Sequence, residues 1–163
     1  MTEAEIKTAL TEYAALAATL WAEGRSEPIE GLVGIGWVIK NRLARHKRYR
    51  AAEKTYKGVV LAPQQFSCWN PGTDVNHQRL MQISERVVRG ESPSEAAWME
   101  CAWVAVGIIE HRLRDRTHGA THYLTADLYR SPNAPLWSKR LDLMAELGAH
   151  VFLVEPLERG LIA

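Results

Sequence analysis

The stretch Trp21-Ala-Glu-Gly-Arg-Ser-Glu-Pro28 joins two segments that both have the pattern of buried helices. Before it, apolar residues recur at helical spacing from Ile6 onward. After it, residues 31–39 are apolar all round, which is typical of a helix inside a core. The joint itself carries two carboxylates, Glu23 and Glu27, and a carboxylate between buried helices is costly unless a function uses it.

Glu23 has the sequence context of a general acid. Gly24 is a natural helix end, and Glu23 lies about 60° from Leu20 on the helical wheel, at the edge of the apolar face. A helix C-terminus and partial desolvation both disfavour an ionised carboxylate, so we expect Glu23 to stay protonated near neutral pH. Arg25 would oppose this by pairing with Glu23, or would instead hold Glu27. From the residues alone, a surface glutamate at the end of an amphipathic helix is the simpler interpretation.

Length and composition are those of one globular domain spanning residues 1–163. The chain is 47% hydrophobic and 24% charged, which suffices for a hydrophobic core. Its formal net charge is +1, so no nucleic-acid partner is expected. The run from Lys40 to Lys57 holds eight Lys/Arg against one acid, and a solvated face is a simpler interpretation of it than binding to an anionic polymer.

The amino-terminal residues 1–6 lack the basic and apolar regions of a signal peptide. No window reaches the length of a transmembrane helix, so we expect no stable membrane association. We therefore expect synthesis in the cytoplasm, with separate release if the substrate lies outside, and action as a monomer. Cys68 and Cys101 do not form a disulfide framework, and the pattern neither requires nor excludes a bridge between them.

The chain order predicts a mostly helical α+β domain with a small β element. Capping boxes at Thr2 and Glu5, and at Ser92 and Glu95, each open a helix. Pro28 suits the first position of another helix. The predicted helices cover, in order, residues 2–24, 28–42, 74–90 (capped by Thr73 or Asp74), 92–114 and 137–147, and the predicted strands cover residues 121–124 and 149–154.

Two other kinds of site have weaker support. His118 and His122 have the spacing of a helical metalloprotease pair, but Gly119 interrupts any helix and the expected glutamate is missing. The three glycines of residues 31–36 have the wrong spacing for a dinucleotide fingerprint and indicate close helix packing instead. We therefore predict no metal and no cofactor.

Residues 64–71, Gln64-Gln-Phe-Ser-Cys-Trp-Asn-Pro71, are typical of an ordered aromatic loop. In a sugar-binding cleft, its aromatic rings would stack on pyranose rings and its polar groups would bond sugar hydroxyls. Alternatively, Phe66 and Trp69 plug the edge of the core. The sequence leaves these two interpretations open.

The remaining chemistry is that of carboxylates. Glycoside cleavage usually needs a protonated acid and a second carboxylate. Glu23 suits the first role, and Glu27, Glu30 and Asp74 are candidates for the second, none of them compelling. Intramolecular transglycosylation needs one carboxylate only, which first protonates the glycosidic oxygen and then takes the proton from the sugar's own 6-hydroxyl.

From Leu16 to Val154 the chain resembles the SleB/CwlJ-type cell wall hydrolases, which include stand-alone phage endolysins. The resemblance rests on an ordered series of short segments: Glu23-Gly-Arg25-Ser-Glu27-Pro28, Val38-Ile-Lys-Asn41-Arg42, Gln65-Phe66-Ser67-Cys-Trp69, Thr121-His122-Tyr123, Pro135-Leu-Trp137 and Gly148-Ala-His150-Val-Phe152. The chain departs from the common family pattern at Gly24 and Ser26, where the family has Ala and Gly.

The resemblance implies a lysozyme-like domain that cuts bacterial peptidoglycan between N-acetylmuramic acid and N-acetylglucosamine, typically as a lytic transglycosylase. Glu23 matches the catalytic glutamate, and a stand-alone domain is similar to a phage lysis protein released through a holin to act on the wall. The alternatives are a muramidase that uses a second carboxylate and a non-catalytic glycan-binding module. For Tyr123, a ring in the core is the alternative to a place in the cleft. The predicted substrate-binding residues are Glu27, Gln65, Phe66, Ser67, Trp69, Thr121, His122, Tyr123 and Trp137.

Overall fold

The computed structural model of the protein describes residues 1–72 and 75–156. Its helices are α1 (Glu3–Ala9), α2 (Glu12–Gly24), α3 (Ile29–Ala44), α4 (Tyr56–Val60), α5 (Val75–Val88), α6 (Trp98–Ile109) and α7 (Ala126–Arg130). Its strands are β1 (His122–Thr125), β2 (Asp142–Leu147) and β3 (His150–Val154), and short 3-10 helices cover Ser67–Trp69 and Ser138–Arg140. The mostly helical α+β class with a small β element is confirmed.

The first predicted helix is two helices. Thr2 and Glu5 form the predicted capping box, and α2 ends at Gly24 as predicted. The chain breaks at Leu10, whose ψ of 134° is extended, and Thr11 then caps α2 by accepting a backbone N–H. A continuous helix was therefore the wrong prediction, because the threonine side chain competes for a backbone donor inside a periodic pattern.

Helices α2, α3 and α6 form the centre of the core. Leu20, Ile35 and Ile108 are fully buried there. At Gly34 on α3, an added Cβ would lie 2.5 Å from the Phe152 ring, so the missing side chain allows α3 to sit directly on the sheet. Helix α3 continues to residue 44, past the predicted end near residues 41–42.

The sheet has the order β1-β3-β2, and both pairings are antiparallel. Every residue of the central strand β3 is buried. The predicted strands at residues 121–124 and 149–154 are confirmed to within one residue at each end. The predicted helix over residues 137–147 is wrong, because its second half pairs with β3 as strand β2.

The start of α6 also differs from the prediction. The helix begins at Trp98 after Ala97, whose φ of 63° is left-handed. Glu95 does not complete a capping box; it accepts a hydrogen bond from Arg86 Nη1 at 2.8 Å. For α5, Gly90 follows the helix with a φ of 80° as a turn glycine, and the predicted caps at residues 73 and 74 lie outside the described residues.

Cys68 and Cys101 are both buried, and neither is in a disulfide. In the part of the chain that the structure describes, no helix combines the length and apolarity needed to cross a membrane. Within the basic run, Lys40 folds back onto α6 and donates a hydrogen bond to the carbonyl of Ile108 at 2.8 Å. At least this part of the run contributes to packing.

Candidate active site

Glu23 lies in the last turn of α2, where its carboxylate meets strand β1. Tyr123 Oη donates a hydrogen bond to Glu23 Oε2 at 2.6 Å. Burial, and secondarily the Glu23 carboxylate, raise the pKa of Tyr123 well above its ordinary value, so the phenol remains a donor. Because Glu23 is partly exposed at a cleft, its carboxyl group can also reach a ligand.

The turn after Glu23 is fixed by close packing. An added Cβ at Gly24 would lie 2.8 Å from Ile35 Cδ1, so α3 packs directly against the end of α2. Arg25 Nη1 donates to Asn76 Oδ1 at 2.8 Å, and the guanidinium lies 4.5 Å from the Trp21 ring centroid. Arg25 therefore forms an ion pair with neither Glu23 nor Glu27 in the described part of the chain. Both of these pairings had been considered from the sequence.

Three chain segments form the cleft beside Glu23, a cavity of about 270 Å³. They come from the ends of α2 and α3, the aromatic loop, and the sheet with the loop before β2. The residues that line it are Glu23, Arg42, Gln64, Gln65, Phe66, Ser67, His122, Tyr123 and Trp137. Seven of the ten predicted site residues are thus brought together, and Glu27, Trp69 and Thr121 are not among them. Glu23 is the one carboxylate in this lining among the residues described.

Arg42 connects the three segments, and the sequence-based site prediction missed it. Its Nε donates to the Thr121 carbonyl at 2.8 Å, and Nη1 lies 3.3 Å from Gln65 Oε1. Its guanidinium lies 5.1 Å from the ring centroids of both Tyr49 and Phe66. These contacts make Arg42 a positioning residue that holds the aromatic loop and β1 in place.

A sequence signal for Arg42 did exist. The residue follows Ile35 by seven positions and Val38 by four, and both are fully buried, so helical periodicity places Arg42 on the buried face. A buried arginine needs partners and often marks a site. Gln64 carries no such signal: it is an exposed residue in a left-handed turn with a φ of 63°.

His122 supplies an uncharged wall of the cleft. Burial lowers the pKa of His122 to about 4, and the positive charges of Arg42 and Arg48 add to this shift. The ring is therefore neutral at pH 7, and its Nδ1 lies 3.0 Å from Thr121 Oγ1. Its centroid lies 5.6 Å from that of Trp137, whose indole is 43% exposed. Thr121 is fully buried, and its side chain contacts the His122 ring from the side of the core.

The two aromatic residues of the 64–71 loop have different places. Phe66 lines the cleft, but Trp69 is 4% exposed and donates through Nε1 to Thr19 Oγ1 at 2.9 Å. Trp69 thus plugs the core edge, which was the alternative to its predicted role in substrate binding. Between them, Cys68 faces Glu23, and burial and this carboxylate together raise the pKa of the thiol. The thiol is therefore a neutral neighbour of Glu23.

The Glu27 carboxylate contacts the turn between β2 and β3. Its Oε2 accepts a hydrogen bond from the Ala149 backbone at 2.8 Å and lies 3.3 Å from His150 Nδ1. The side chain is 7% exposed and these contacts give it a structural role, while contact with substrate stays a prediction. Of the other candidates for a second carboxylate, Glu30 is exposed on α3 and residue 74 lies outside the described range.

Metal chemistry finds no geometric support in residues 1–72 and 75–156. In these ranges, no group of three or more His, Cys, Asp or Glu side chains is arranged to hold an ion. The left-handed φ values at His118 and Gly119 place this segment in a turn, which breaks the helix that a metalloprotease pair requires.

A helical core and a small antiparallel sheet, facing each other across a cleft with a helix-end glutamate, define a lysozyme-like domain. The family model described as Cell Wall Hydrolase matches residues 26–153. The chain belongs to this cell wall hydrolase family, so the predicted family and enzyme class are confirmed. The match begins three residues after Glu23, so the assignment of the acid rests on the geometry described above.

Two solved structures resemble the chain in fold. One is the catalytic domain of the germination-specific lytic transglycosylase SleB from Bacillus anthracis, with 21% identity, a TM-score of 0.56, and 88% of this chain and 93% of that chain covered. The other is the catalytic domain of the Bacillus cereus SleB protein, with 22% identity, a TM-score of 0.51, and coverages of 88% and 89%. Comparison with curated proteins gave no match.

Proposed function

We propose that the protein is a peptidoglycan lytic transglycosylase in which Glu23 is the general acid and then the general base. The observation that carries the proposal is the cleft itself, which among the described residues offers Glu23 as its one carboxylate, with Tyr123 bonded to it. Transglycosylation needs no second carboxylate. Membership of the cell wall hydrolase family and the fold shared with the SleB lytic transglycosylase support this choice.

In the first step, the protonated Glu23 donates its proton to the glycosidic oxygen between N-acetylmuramic acid and N-acetylglucosamine. The bond from this oxygen to C1 of the muramyl sugar breaks, and positive charge develops on C1 and the ring oxygen. The N-acetylglucosamine leaves with a free 4-hydroxyl. Glu23 is then a carboxylate, and the hydrogen bond from Tyr123 to Oε2 stabilises this charged form.

In the second step, the Glu23 carboxylate accepts the proton of the 6-hydroxyl of the same muramyl sugar. The 6-oxygen attacks C1 and closes a 1,6-anhydro ring, which restores the protonated acid. Tyr123 stays protonated because of its raised pKa, so it can serve as a hydrogen-bond donor in both steps. Loss of bulk water around C1 favours the internal hydroxyl over hydrolysis.

The cleft also has groups that suit an N-acetylated glycan. Gln65 and Ser67 offer amide and hydroxyl groups on one side, and the exposed indole of Trp137 offers an aromatic face on the other. Such a mixture of hydrogen-bonding and stacking surfaces is required for sugar rings with acetamido and hydroxyl substituents. Arg42 is engaged with the protein backbone, so its proposed role is to hold this wall in place.

Mass spectrometry of digested peptidoglycan tests the proposal. Muropeptides that end in 1,6-anhydro sugars are expected. Reducing ends without anhydro sugars would show a muramidase instead. Asp74 would then be the first residue to test for the role of the second carboxylate. Free amino termini would show that the protein cleaves peptide bonds instead of glycosidic bonds. An undigested wall would favour a non-catalytic glycan-binding module.

The substrate lies outside the cytoplasmic membrane, so the proposal includes a way to reach it. We propose a phage-type lysis role, with synthesis in the host cytoplasm and release through a holin. Expression in a Gram-negative host tests this: lysis is expected when a holin is co-expressed and not when the protein is expressed alone. Lysis without the holin would contradict this part of the proposal.

A further inference from the structure

A second cavity, of about 530 Å³, opens beside the catalytic cleft, and His122 and Trp137 line both. Its other lining residues are Leu136, Arg140, Leu141, Glu155 and Pro156. A ligand that extends from the cleft past Trp137 therefore enters this second cavity. Nothing in the reaction described above uses it.

The two cavities differ in chemistry. Beside the Glu23 cleft stand amide, hydroxyl and phenol side chains, which suit sugars. The second cavity has, among the described residues, no amide or hydroxyl side chain in its lining. It presents Leu136, which is 73% exposed, together with Leu141 and Pro156. An apolar patch of this kind is a poor surface for sugar hydroxyls and a good one for methyl groups.

Among the described residues, the cavity lining also offers one positive charge without an ion-pair partner. Glu155 forms an ion pair with Arg48, and His122 is neutral because its pKa is lowered to about 4. Arg140 is exposed, and its guanidinium has no hydrogen bond or ion pair within the described part of the chain. A ligand with apolar groups and a carboxylate therefore complements the cavity.

The loop that presents these groups is ordered. Ser138 is fully buried and bonds the Pro135 carbonyl through both its backbone N–H, at 3.0 Å, and its hydroxyl, at 2.7 Å. The Arg140 backbone N–H donates to the Trp137 carbonyl at 3.1 Å. A short 3-10 helix thus holds Leu136, Trp137 and Arg140 in a fixed arrangement at the cavity mouth.

We propose that this second cavity binds the peptide stem of a muramyl residue adjoining the cleaved bond, so that the enzyme prefers glycan strands that carry peptides. The inference rests on the proposed function. Each muramyl sugar bears its peptide through a lactyl ether, and the stem offers alanyl methyl groups and carboxylates among its side chains and end group. The methyl groups pack against Leu136 and Leu141, and a carboxylate pairs with Arg140.

The test compares two soluble, uncross-linked glycan substrates, one with peptide stems and one stripped by an amidase. The readout is the ratio of kcat/KM on the two substrates, measured from new sugar ends. The parent enzyme is expected to favour the peptide-bearing strands. Arg140→Gln and Leu136→Ser, both at exposed positions, are expected to lower this ratio about three- to tenfold.

Lys139→Gln is the matched control, because Lys139 is an exposed neighbour that does not line the cavity. It is expected to change neither activity nor the ratio. A parent enzyme without preference, or variants that lose activity equally on both substrates, would overturn the peptide-binding proposal while the glycan-cleaving function stands. Absence of new sugar ends from both substrates with the parent enzyme would overturn the proposed function itself.

Discussion

Tyr123 and Glu23, separated by one hundred positions in the chain, are joined by a 2.6 Å hydrogen bond between the phenol and Oε2 of the carboxylate. The bond links the last turn of α2 to the edge strand β1 across the cleft. It gives the candidate acid a fixed orientation and keeps a neutral donor against it.

Tyr123→Phe should slow wall lysis about fivefold to 150-fold, since losing a buried donor to a reacting carboxylate costs roughly 1 to 3 kcal/mol of transition-state stabilisation. The ring remains, so packing against Phe152 is retained. Tyr129→Phe, at a partly buried tyrosine outside the cleft, is the control. An unchanged lytic rate with an unchanged melt would place Tyr123 outside the reaction.

Glu23→Gln should reduce lysis about a hundred- to ten-thousandfold, because the amide keeps the size of the side chain but cannot transfer a proton. The melting temperature should stay constant or rise slightly. Glu30→Gln is the matched control on exposed α3 surface. Clearing of permeabilised Gram-negative cells measures the rates, and a Glu23 variant as fast as the parent would exclude this residue as the acid.

Glu27→Gln should lower stability by about 1 to 3 kcal/mol, because the charged acceptor for the Ala149 N–H and the partner of His150 are lost. Its effect on activity should be smaller than that of Glu23→Gln. Urea unfolding and lysis are measured together. If the Glu27 variant is as inactive as the Glu23 variant while fully folded, a two-carboxylate hydrolase becomes the better interpretation.

Gly148→Ala should be more destabilising than Gly90→Ala. Both glycines have positive φ, 58° and 80°, so both alanines suffer backbone strain of about 1 to 2 kcal/mol. At Gly90 an added Cβ meets nothing within 4 Å, whereas at Gly148 it would overlap Glu27 Oε2. The difference between the two unfolding free energies therefore reports the contacts of the added Cβ with Glu27 and Pro28, and equal values would contradict them.

Lowering the pH from 6.5 to 4 should destabilise the parent protein more than a His122→Asn variant. The pKa of His122 is lowered from 6.5 to about 4 in the folded protein, mainly by burial. Between pH 6.5 and 4 the unfolded chain binds the proton and the folded one does not, so stability falls as pH falls, by up to roughly 3 kcal/mol. Thermal unfolding of both proteins across this range measures the difference. Parallel curves would show that His122 titrates normally.

The joint between α2 and α3 was predictable because its signals are local. Capping residues, an apolar period of 3.6 and the glycine at the helix end all lie within a few turns of Glu23. The same holds for strand β3, a short apolar run next to a turn glycine. In both places local propensity and the final fold agree.

Pairing partners far along the chain were not predictable from these signals. Residues 141–147 have a pattern that fits a helix as well as a strand, and only the presence of β3 beside them decides for β2. The structural contacts of Glu27 and Trp69 were missed for a similar reason. Their partners, Ala149 and Thr19, lie 122 and 50 positions away, and the sequence alone gives no sign of these contacts.

The central place of β3 in the sheet has a consequence for the nascent chain. Synthesis produces Glu23 and the aromatic loop early, but β1 has its only sheet partner in β3, among the strands described, and β3 is not complete until residue 154 has been added. A ribosome-bound chain shorter than this lacks the strand that holds Tyr123 opposite Glu23. The site is therefore not assembled until residue 154 has emerged from the ribosome.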